Sequence, residues 1–551
     1  MEQSTLKIIP LGGVGEIGKN MIVFEHDQDL LIVDCGLMFP ESDMLGIDIV
    51  IPDMEYVFDR REHVRAIVIT HGHEDHIGGL PYLVREVNAP IHATRLTRGL
   101  IEVKLKEHRL LDGADLHTLE PDDATSRVDA GSFQVESFRV NHSIPDSVGL
   151  AIHTPVGTVV HSGDFKFDQS PVDGRLTDFA RLAMLGAQGV HVLLSDSTNA
   201  EHSGHTPSER VVGETFDRIF GQAEGRVIVA TFASNISRIQ QVVDTARKHG
   251  RRVGIVGRSM LSYARRAYEL GYLDIAPDDL LTPQQMNDLP PHEVAIACTG
   301  SQGEPTSALV RMAVGEHRMV NVQRGDSVIV SATPIPGNEE LVNHTLDNLF
   351  RAGAEVYSHE EMEVHVSGHA SRDEHKLMLS LIKPRFFVPV HGEYRHLVRH
   401  ARLAKQSGVA EENVFVVESG TVLEFGADWG RVDGQVTEGH VMVDGLGIGD
   451  VGSVVLRDRH LLSRDGFVVV VVAVHAATGQ VVQKPEIITR GFVYLKEAGE
   501  LIEEASDRVT QALGRGATGA VAQAKIKDVL AEFLYERTKR RPMILPVVME
   551  L

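Results

Sequence analysis

The chain has 551 residues, a net charge of −23, 42% apolar residues and two cysteines. That length exceeds what one core usually supports, so about two to four domains, or one large domain carrying an insertion, are expected. Cys35 and Cys298 both lie in apolar runs, which excludes a disulfide framework and a cysteine-based metal site and fits a reducing cytoplasm. No apolar run reaches the ~18 residues needed to span a bilayer, and the N-terminus lacks the basic and apolar regions of a signal peptide. The acidic balance taken alone argues against a nucleic-acid partner, although cations bound in a channel attract phosphate locally.

Up to about residue 200, short apolar strands alternate with turns: "LKIIPLGG", "NMIVFEH", "DLLIVDCG", "RAIVIT", "FQVESFRV", "VGLAIHT", "GTVVHSGD" and "VHVLLSDS". Many end in a polar residue, the pattern of a rigid sheet that mounts chemistry on its loops. The stretch "ITHGHEDHIGG" follows one such strand, and "LPYLVREV" after it reads as the start of an amphipathic helix. His71 and His73 can point one way while Asp75 and His76 turn the other, so one loop can serve two adjacent metal ions. Further ligands are expected at other strand ends: His142 in "FRVNHSIPDS", Asp164 in "TVVHSGDF" as a carboxylate shared by both ions, and His391 in "FFVPVHGEYRH".

From 208 to about 360, "GRVIVATFASN", "RRVGIVGRS", "EVAIACTGSQGE" and "DSVIVSATPIPGNE" read as four buried strands of a parallel βαβ sheet. Ser234 and Asn235 end the first of these before a helix and offer hydroxyl and backbone N–H donors to an anion. After 361, "HVSGHASRDEH" supplies His365, Val366, Ser367, Gly368 and His369, the glycine allowing close backbone approach. His375, His396 and His400 show helical spacing and are expected at the surface. Six glycines in 431–455 mark a linker. Beyond it, "GSVVLRD", "GFVVVVVAVH" and "VVQKPEIIT" read as strands, and "EAGELIEEASDRVTQALG" and "IKDVLAEFLYERTKR" as helices.

The H-x-H-x-D-H motif at 71–76, with His142, Asp164 and the strand-end Asp34, resembles the metallo-β-lactamase fold. Asp196 in "LLSDSTN", His369 in "HVSGHAS" and His391 in "PVHGEYR" resemble the extra motifs of the β-CASP nucleases, and the whole chain is similar to the bacterial ribonuclease J family. The resemblance implies an α/β chain: a metallo-β-lactamase αββα sandwich (1–207 and 366–430), an inserted parallel α/β β-CASP domain (208–365), a linker (431–455) and a small α+β C-terminal domain (456–551) that mediates self-association. By the same resemblance His71, His73, His142 and Asp164 bind one zinc and Asp75, His76, Asp164 and His391 the second, with Mn²⁺ or Mg²⁺ as substitutes. Asp34 orients the loop from behind, and Glu74 matches no ligand position and is read as solvent-facing or helix N-terminal.

Asp196 and His369 then form the catalytic pair that handles proton transfers. Ser234, Asn235 and residues 365–369 take the 5′-phosphate of the RNA. Gly46, Asp48 and Asp444 match a site for a structural Ca²⁺. A histidine at the position of His391 accompanies RNA substrates in this superfamily, whereas DNA-processing members carry an apolar residue there. The implied activity is a 5′ to 3′ exoribonuclease preferring 5′-monophosphate ends, with endonuclease activity, acting on single-stranded RNA in maturation and decay. Expected besides are a cytoplasmic location, a homodimer or homotetramer, and a place in an RNA-degradation complex, with no membrane partner. The alternatives are a small-ester or lactam metallohydrolase on the same metal core, for which the 208–360 insertion would be superfluous, and a non-catalytic scaffold, against which the intact ligand set argues.

Overall fold

The computed structural model describes residues 4–41, 43–123, 125–335, 337–445, 447–493, 499–514 and 516–551. The chain divides into two units, Met1–Phe39 with Val50–Val441, and Pro40–Ile49 with Met442–Leu551. In the first unit, an eight-stranded sheet runs in the order Gly430–Gln435, Thr421–Phe425, Leu6–Gly12, Met21–His26, Asp29–Val33, Val64–Val68, Ile91–Thr94 and Leu116–Leu119. A six-stranded sheet runs Phe386–Val390, Val192–Asp196, Thr158–His161, Val148–His153, Phe133–Arg139 and Arg127–Ala130. Side chains of both sheets, such as Phe24, Val33 and Val68 with Leu150, Val192 and Val388, merge in one buried cluster. The opposite face of the six-stranded sheet is covered by helices Phe179–Gln188, Arg372–Ile382 and Tyr394–Gln406 through Leu182, Met378, Ile382 and Ala404. This is the expected αββα sandwich.

The strands Thr158–His161, Val192–Asp196 and Phe386–Val390 are mutually parallel. Their carboxyl ends therefore open on one edge, and that edge carries Asp164, Asp196 and His391. The expected helix after the histidine loop is only one turn, Leu80–Leu83, because the chain then needs its remaining residues to reach the strand Ile91–Thr94.

The insertion holds a five-stranded parallel sheet, ordered Arg252–Val256, Val294–Cys298, Val227–Ala230, Ser327–Val330 and Glu355–Tyr357. Four of these were expected; the fifth has three residues, too few for a periodicity to register. At its base the Arg226 guanidinium is 2% exposed and grips Asp326 through Nε–Oδ1 at 3.0 Å and Nη2–Oδ2 at 2.6 Å. Asp326→Ala strands that buried charge and is expected to cost about 3–5 kcal/mol, measured by chemical denaturation.

In the second unit, Phe467–Val474 is the middle strand, antiparallel to Glu486–Arg490 and parallel to Met543–Glu550. Helices Gly499–Leu513 and Gly519–Thr538 pack on it through Val509, Ile526, Leu530 and Phe533. Two residues of the expected first helix, Glu497 and Ala498, lie outside the described residues. "GSVVLRD" is not a strand: it opens the helix Ser453–Asp465. Val454, Val455 and Leu456 carry no period of their own, and the run from Arg457 to Leu462 favours helix.

Candidate metal centre

His73 immediately precedes the short helix Glu74–Ile77, so the histidine motif is itself a helix start rather than an open loop. The strand end at Cys35–Leu37 runs tightly against it: Cys35 N–H donates to the His76 carbonyl and Leu37 N–H to that of Glu74. A Cβ on Gly36 would stand 1.6 Å from the Asp75 carbonyl oxygen, so only glycine permits this approach. Two residues of the centre other than glycine hold left-handed backbone, Asp34 at φ 61° and His391 at φ 52°. Such conformations persist where the surroundings enforce them. At His391 they do so through its N–H to the Gly13 carbonyl and its own carbonyl, which accepts from Ser197 N–H.

The predicted ligands gather in two touching clusters. His71 Nε2 and His142 Nε2 each lie 3.1 Å from His73 Nδ1. Asp75, His76, Asp164 and His391 form the second set, with ligand atoms within 4.8 Å of one another. Asp164 Oδ2 stands between the two, 3.7 and 3.8 Å from the Nε2 atoms of His71 and His142 and 3.2 and 3.3 Å from those of His76 and His391. A tetrahedral ion at about 2.0–2.1 Å from its ligands sets them about 3.4 Å apart, and these spacings fit.

Hydrogen bonds behind the rings fix which nitrogen is free. His142 Nδ1 donates to the Gly368 carbonyl at 2.8 Å, and His76 Nδ1 to Asp34 Oδ2 at 2.8 Å. His391 Nδ1 meets Thr198 Oγ1 at 2.7 Å. In each case Nε2 is left facing the cluster, the usual support of a metal-bound histidine. Asp34 also accepts from the N–H and hydroxyl of Thr70, both at 2.8 Å, and touches no other predicted ligand.

The electrostatics agree. Burial, the largest cause, holds His71 and His142 well below the ordinary histidine range and His73 at about 4, so these three are neutral donors at pH 7. Burial would raise the Asp164 and Asp75 carboxyls, but the facing His76 and His391 outweigh it and keep both low. His76 and His391 are correspondingly raised against their own burial by Asp164 and its neighbours. Buried carboxylates here are balanced by imidazole protons, which a divalent cation would displace.

Asp196 ends its strand beside this cage, and His369 Nδ1 lies 2.8 Å from its Oδ2. The two join Asp164 and His391 in a third compact group. The 365–369 loop is clamped: Ser367 Oγ accepts from Asn199 Nδ2 at 2.8 Å and from the His369 N–H at 3.1 Å. A Cβ on Gly368 would stand 2.6 Å from His142 Nδ1. Val366 is buried, and His365 is half-buried, with an Nδ1 that has no partner among the described residues. Asn235 Oδ1 caps the helix Ile236–Lys248 by accepting from Arg238 N–H, which leaves only its amide for an anion, and Ser234 is buried beside it.

Several supporting residues were missed. Asn20 Nδ2 lies 3.0 Å from the Asp75 carbonyl and 3.2 Å from His76 Nε2. Glu374 accepts from the N–H groups of Phe167, Thr206 and Ser371. Neither sits in a motif; Thr198 and Asn199, adjacent to Asp196, had that adjacency as a signal. The expectation that His375, His396 and His400 lie at the surface is corrected: all three are buried. They lie on the inner faces of helices packed on the sheet, where the His375 ring is 4.1 Å from His400, and Ser197 Oγ is 3.0 Å from His400 Nδ1.

In the second unit, Asp48 Oδ2 accepts from Gly445 N–H at 2.8 Å. Asp444 is ion-paired with Arg459, whose Nη1 also donates to the Leu45 carbonyl at 2.8 Å. A Cβ on Gly46 would approach the same guanidinium. Arg459 therefore supplies positive charge at the place expected for a structural cation.

Compared with known proteins, residues 14–222 match the metallo-beta-lactamase superfamily and 224–349 the ribonuclease J beta-CASP domain. Residues 361–417 match the Zn-dependent metallo-hydrolase RNA specificity domain, and 454–551 the ribonuclease J C-terminal domain. Ribonuclease J2 of Bacillus subtilis is 44% identical over 99% of each chain. The chain belongs to the ribonuclease J family. Ribonuclease J of Thermus thermophilus is 45% identical over 100% of this chain and 96% of its own. A crystal structure of a protein of unknown function from Enterococcus faecalis shares the fold, with a TM-score of 0.55 at 15% identity over 77% of this chain and 100% of that one. Among the described residues of this ribonuclease J family member, no helix is long and apolar enough to cross a membrane.

Proposed function

We propose that this metal-dependent ribonuclease digests single-stranded RNA from the 5′ end, prefers a 5′-monophosphate, and also cuts internally. His71, His73, His142 and Asp164 would hold one Zn²⁺, and Asp75, His76, Asp164 and His391 the other, with Mn²⁺ or Mg²⁺ as substitutes. When bound, such a pair activates water and neutralises charge on the phosphate. Asp34 orients His76. Asp196 keeps His369 oriented and raises its proton affinity, and the two pass the proton that the departing 3′-oxygen requires. The observation that carries this reading is the 2.8 Å contact of His369 with Asp196 directly beside the metal-ligand cage.

Residues 365–369, with Ser234 and the Asn235 amide, would receive the 5′-phosphate. A loop locked by Asn199 and Thr206 suits that task, since Thr206 Oγ1 donates to the His369 carbonyl at 2.7 Å. We assign 1–207 and 366–430 to the nuclease core, 208–365 to the insertion that guides the strand and 456–551 to self-association; the linker expected over 431–455 is corrected, because Gly430–Gln435 is a strand of the eight-stranded sheet and Ser453 opens a helix. A cytoplasmic homodimer or homotetramer, working in RNA maturation and decay within a degradation complex, completes the proposal; light scattering that finds only monomer refutes the oligomer. A structural Ca²⁺ at Gly46, Asp48 and Asp444 has weaker support, because Arg459 already balances Asp444. The small-ester alternative is not favoured: residues 361–417 match an RNA specificity domain.

The test is one RNA sequence carrying either a 5′-monophosphate or a 5′-triphosphate. Mononucleotide release at least about tenfold faster from the monophosphate is expected, since a pocket too small for a triphosphate forfeits with it at least one hydrogen bond to a charged group, worth about 1.5–3 kcal/mol. Internal cuts indifferent to the 5′ group would remove the phosphate pocket and leave the metal centre standing.

A further inference from the structure

Glu74 sits between the ligands His73 and Asp75, and it is not free in solvent. Its carboxylate accepts from Lys104 Nζ at 2.6 Å and from the Tyr263 hydroxyl at 2.8 Å. Tyr263 belongs to the insertion, on the helix Arg258–Glu269, and is 5% exposed. A second carboxylate, Asp146, lies four residues after the ligand His142, buried and with left-handed backbone at φ 64°. Asp146 accepts from the Leu96 N–H at 3.3 Å, faces Arg175 at 3.4 Å and Arg139 at 3.8 Å, and bonds the hydroxyl of Tyr272. Tyr272 lies in the turn that follows the same insertion helix.

One segment of the insertion thus reaches both loops that carry ligands of the first metal position. Its attachment is firm. Arg266 of that helix pairs with Glu102 on the helix Arg95–Glu107. The two helices approach so closely that a Cβ on Gly99 would stand 2.5 Å from Leu270 Cδ1. The attachment matters because the hydrogen-bond contacts of the His73 ring among the described residues are to His71, His142 and, at 3.4 Å, Ser143 Oγ. What fixes its position is the backbone of the loop, held inward by Cys35, Leu37 and Asn20 and tied to the insertion by the Glu74 side chain.

We propose that Tyr263 and Tyr272 are positioning residues that hold the His73 and His142 loops in ligand geometry, so that metal affinity of the nuclease core depends on the insertion. The proposal rests on the reading of residues 71–391 as a metal centre. It makes the insertion more than a clamp for RNA: displacing its helix would loosen the first metal position through two hydroxyl bonds to carboxylates.

The experiment uses the full chain, stripped of metal, competing with a chromophoric chelator for Zn²⁺. Tyr263→Phe and Tyr272→Phe keep the rings and delete only the donors. Each is expected to bind Zn²⁺ on the order of tenfold more weakly, the scale for residues that orient metal ligands. RNA hydrolysis at limiting Zn²⁺ should fall in parallel, and excess Zn²⁺ should restore kcat with KM for RNA unchanged. Tyr268→Phe, on the same helix and 39% exposed, should match the unaltered protein. Equal Zn²⁺ affinity in the Phe variants overturns the proposal, as does a loss of activity that excess Zn²⁺ does not relieve. Failure of the unaltered protein to bind Zn²⁺ would instead overturn the metal centre itself, so the two failures are distinguishable.

Discussion

Asp164→Asn is expected to lower RNA hydrolysis on the order of a thousandfold and to reduce bound metal at both positions. The side chain keeps its size but loses the one anionic oxygen within 3.8 Å of His71, His76, His142 and His391 alike. Loss of a single preorganised electrostatic group in an active site costs about 10²–10³ in rate, and in the proposed centre the same group would serve two ions. Single-turnover hydrolysis of end-labelled RNA, with metal content measured on the same sample, reads both effects. Full metal content in the variant would contradict the shared role of Asp164.

His369→Ala is expected to lower kcat by about 10²–10⁴, the range for a lost general acid or base, while metal content stays unchanged. His369 reaches the cage through its bond to Asp196 and through its ring, edge-on to His142 at 4.8 Å and stacked 5.2 Å from His391. Burial works against protonation of His369, but the Asp196 carboxylate outweighs it and raises the imidazole above its ordinary value. Replacing Asp196 by Asn removes that charge and lowers the His369 pKa. Whichever limb of the pH–rate profile His369 sets should therefore move to lower pH in Asp196→Asn. Because the two act as one unit, the double variant should be little worse than either single one. A simple product of the two losses would mean that they act separately.

The histidine–aspartate cluster was legible because its residues stand at strand ends. "RAIVIT", "TVVHSGD" and "FFVPV" are apolar runs that stop at His71, Asp164 and His391, and parallel strands bring such ends together whatever their distance in sequence. The parallel insertion sheet was readable for the same reason. Roles for Asp34, Asp196 and His369 came from resemblance, since each alone has the look of an ordinary loop residue.

What stayed hidden depends on faces and distant partners. His375, His396 and His400 lie on helices rich in charge, and composition does not tell which face packs on the sheet. The apolar triplet in "GSVVLRD" has no period of its own, so its residues read as a strand although they open a helix. Glu74 carries no motif, and its partner Tyr263 is 189 residues away; only the folded chain brings them together. Arg459 beside Asp444 is a similar case, a cation that sequence spacing could not supply.

The most direct measurement titrates metal back into chelator-stripped protein and follows hydrolysis of a 5′-monophosphorylated single-stranded RNA. Activity that is absent without metal, returns as two equivalents of Zn²⁺ or Mn²⁺ are added, and never returns in His76→Ala is the predicted result. RNA cleavage by the stripped protein, or full activity in His76→Ala, would contradict the account.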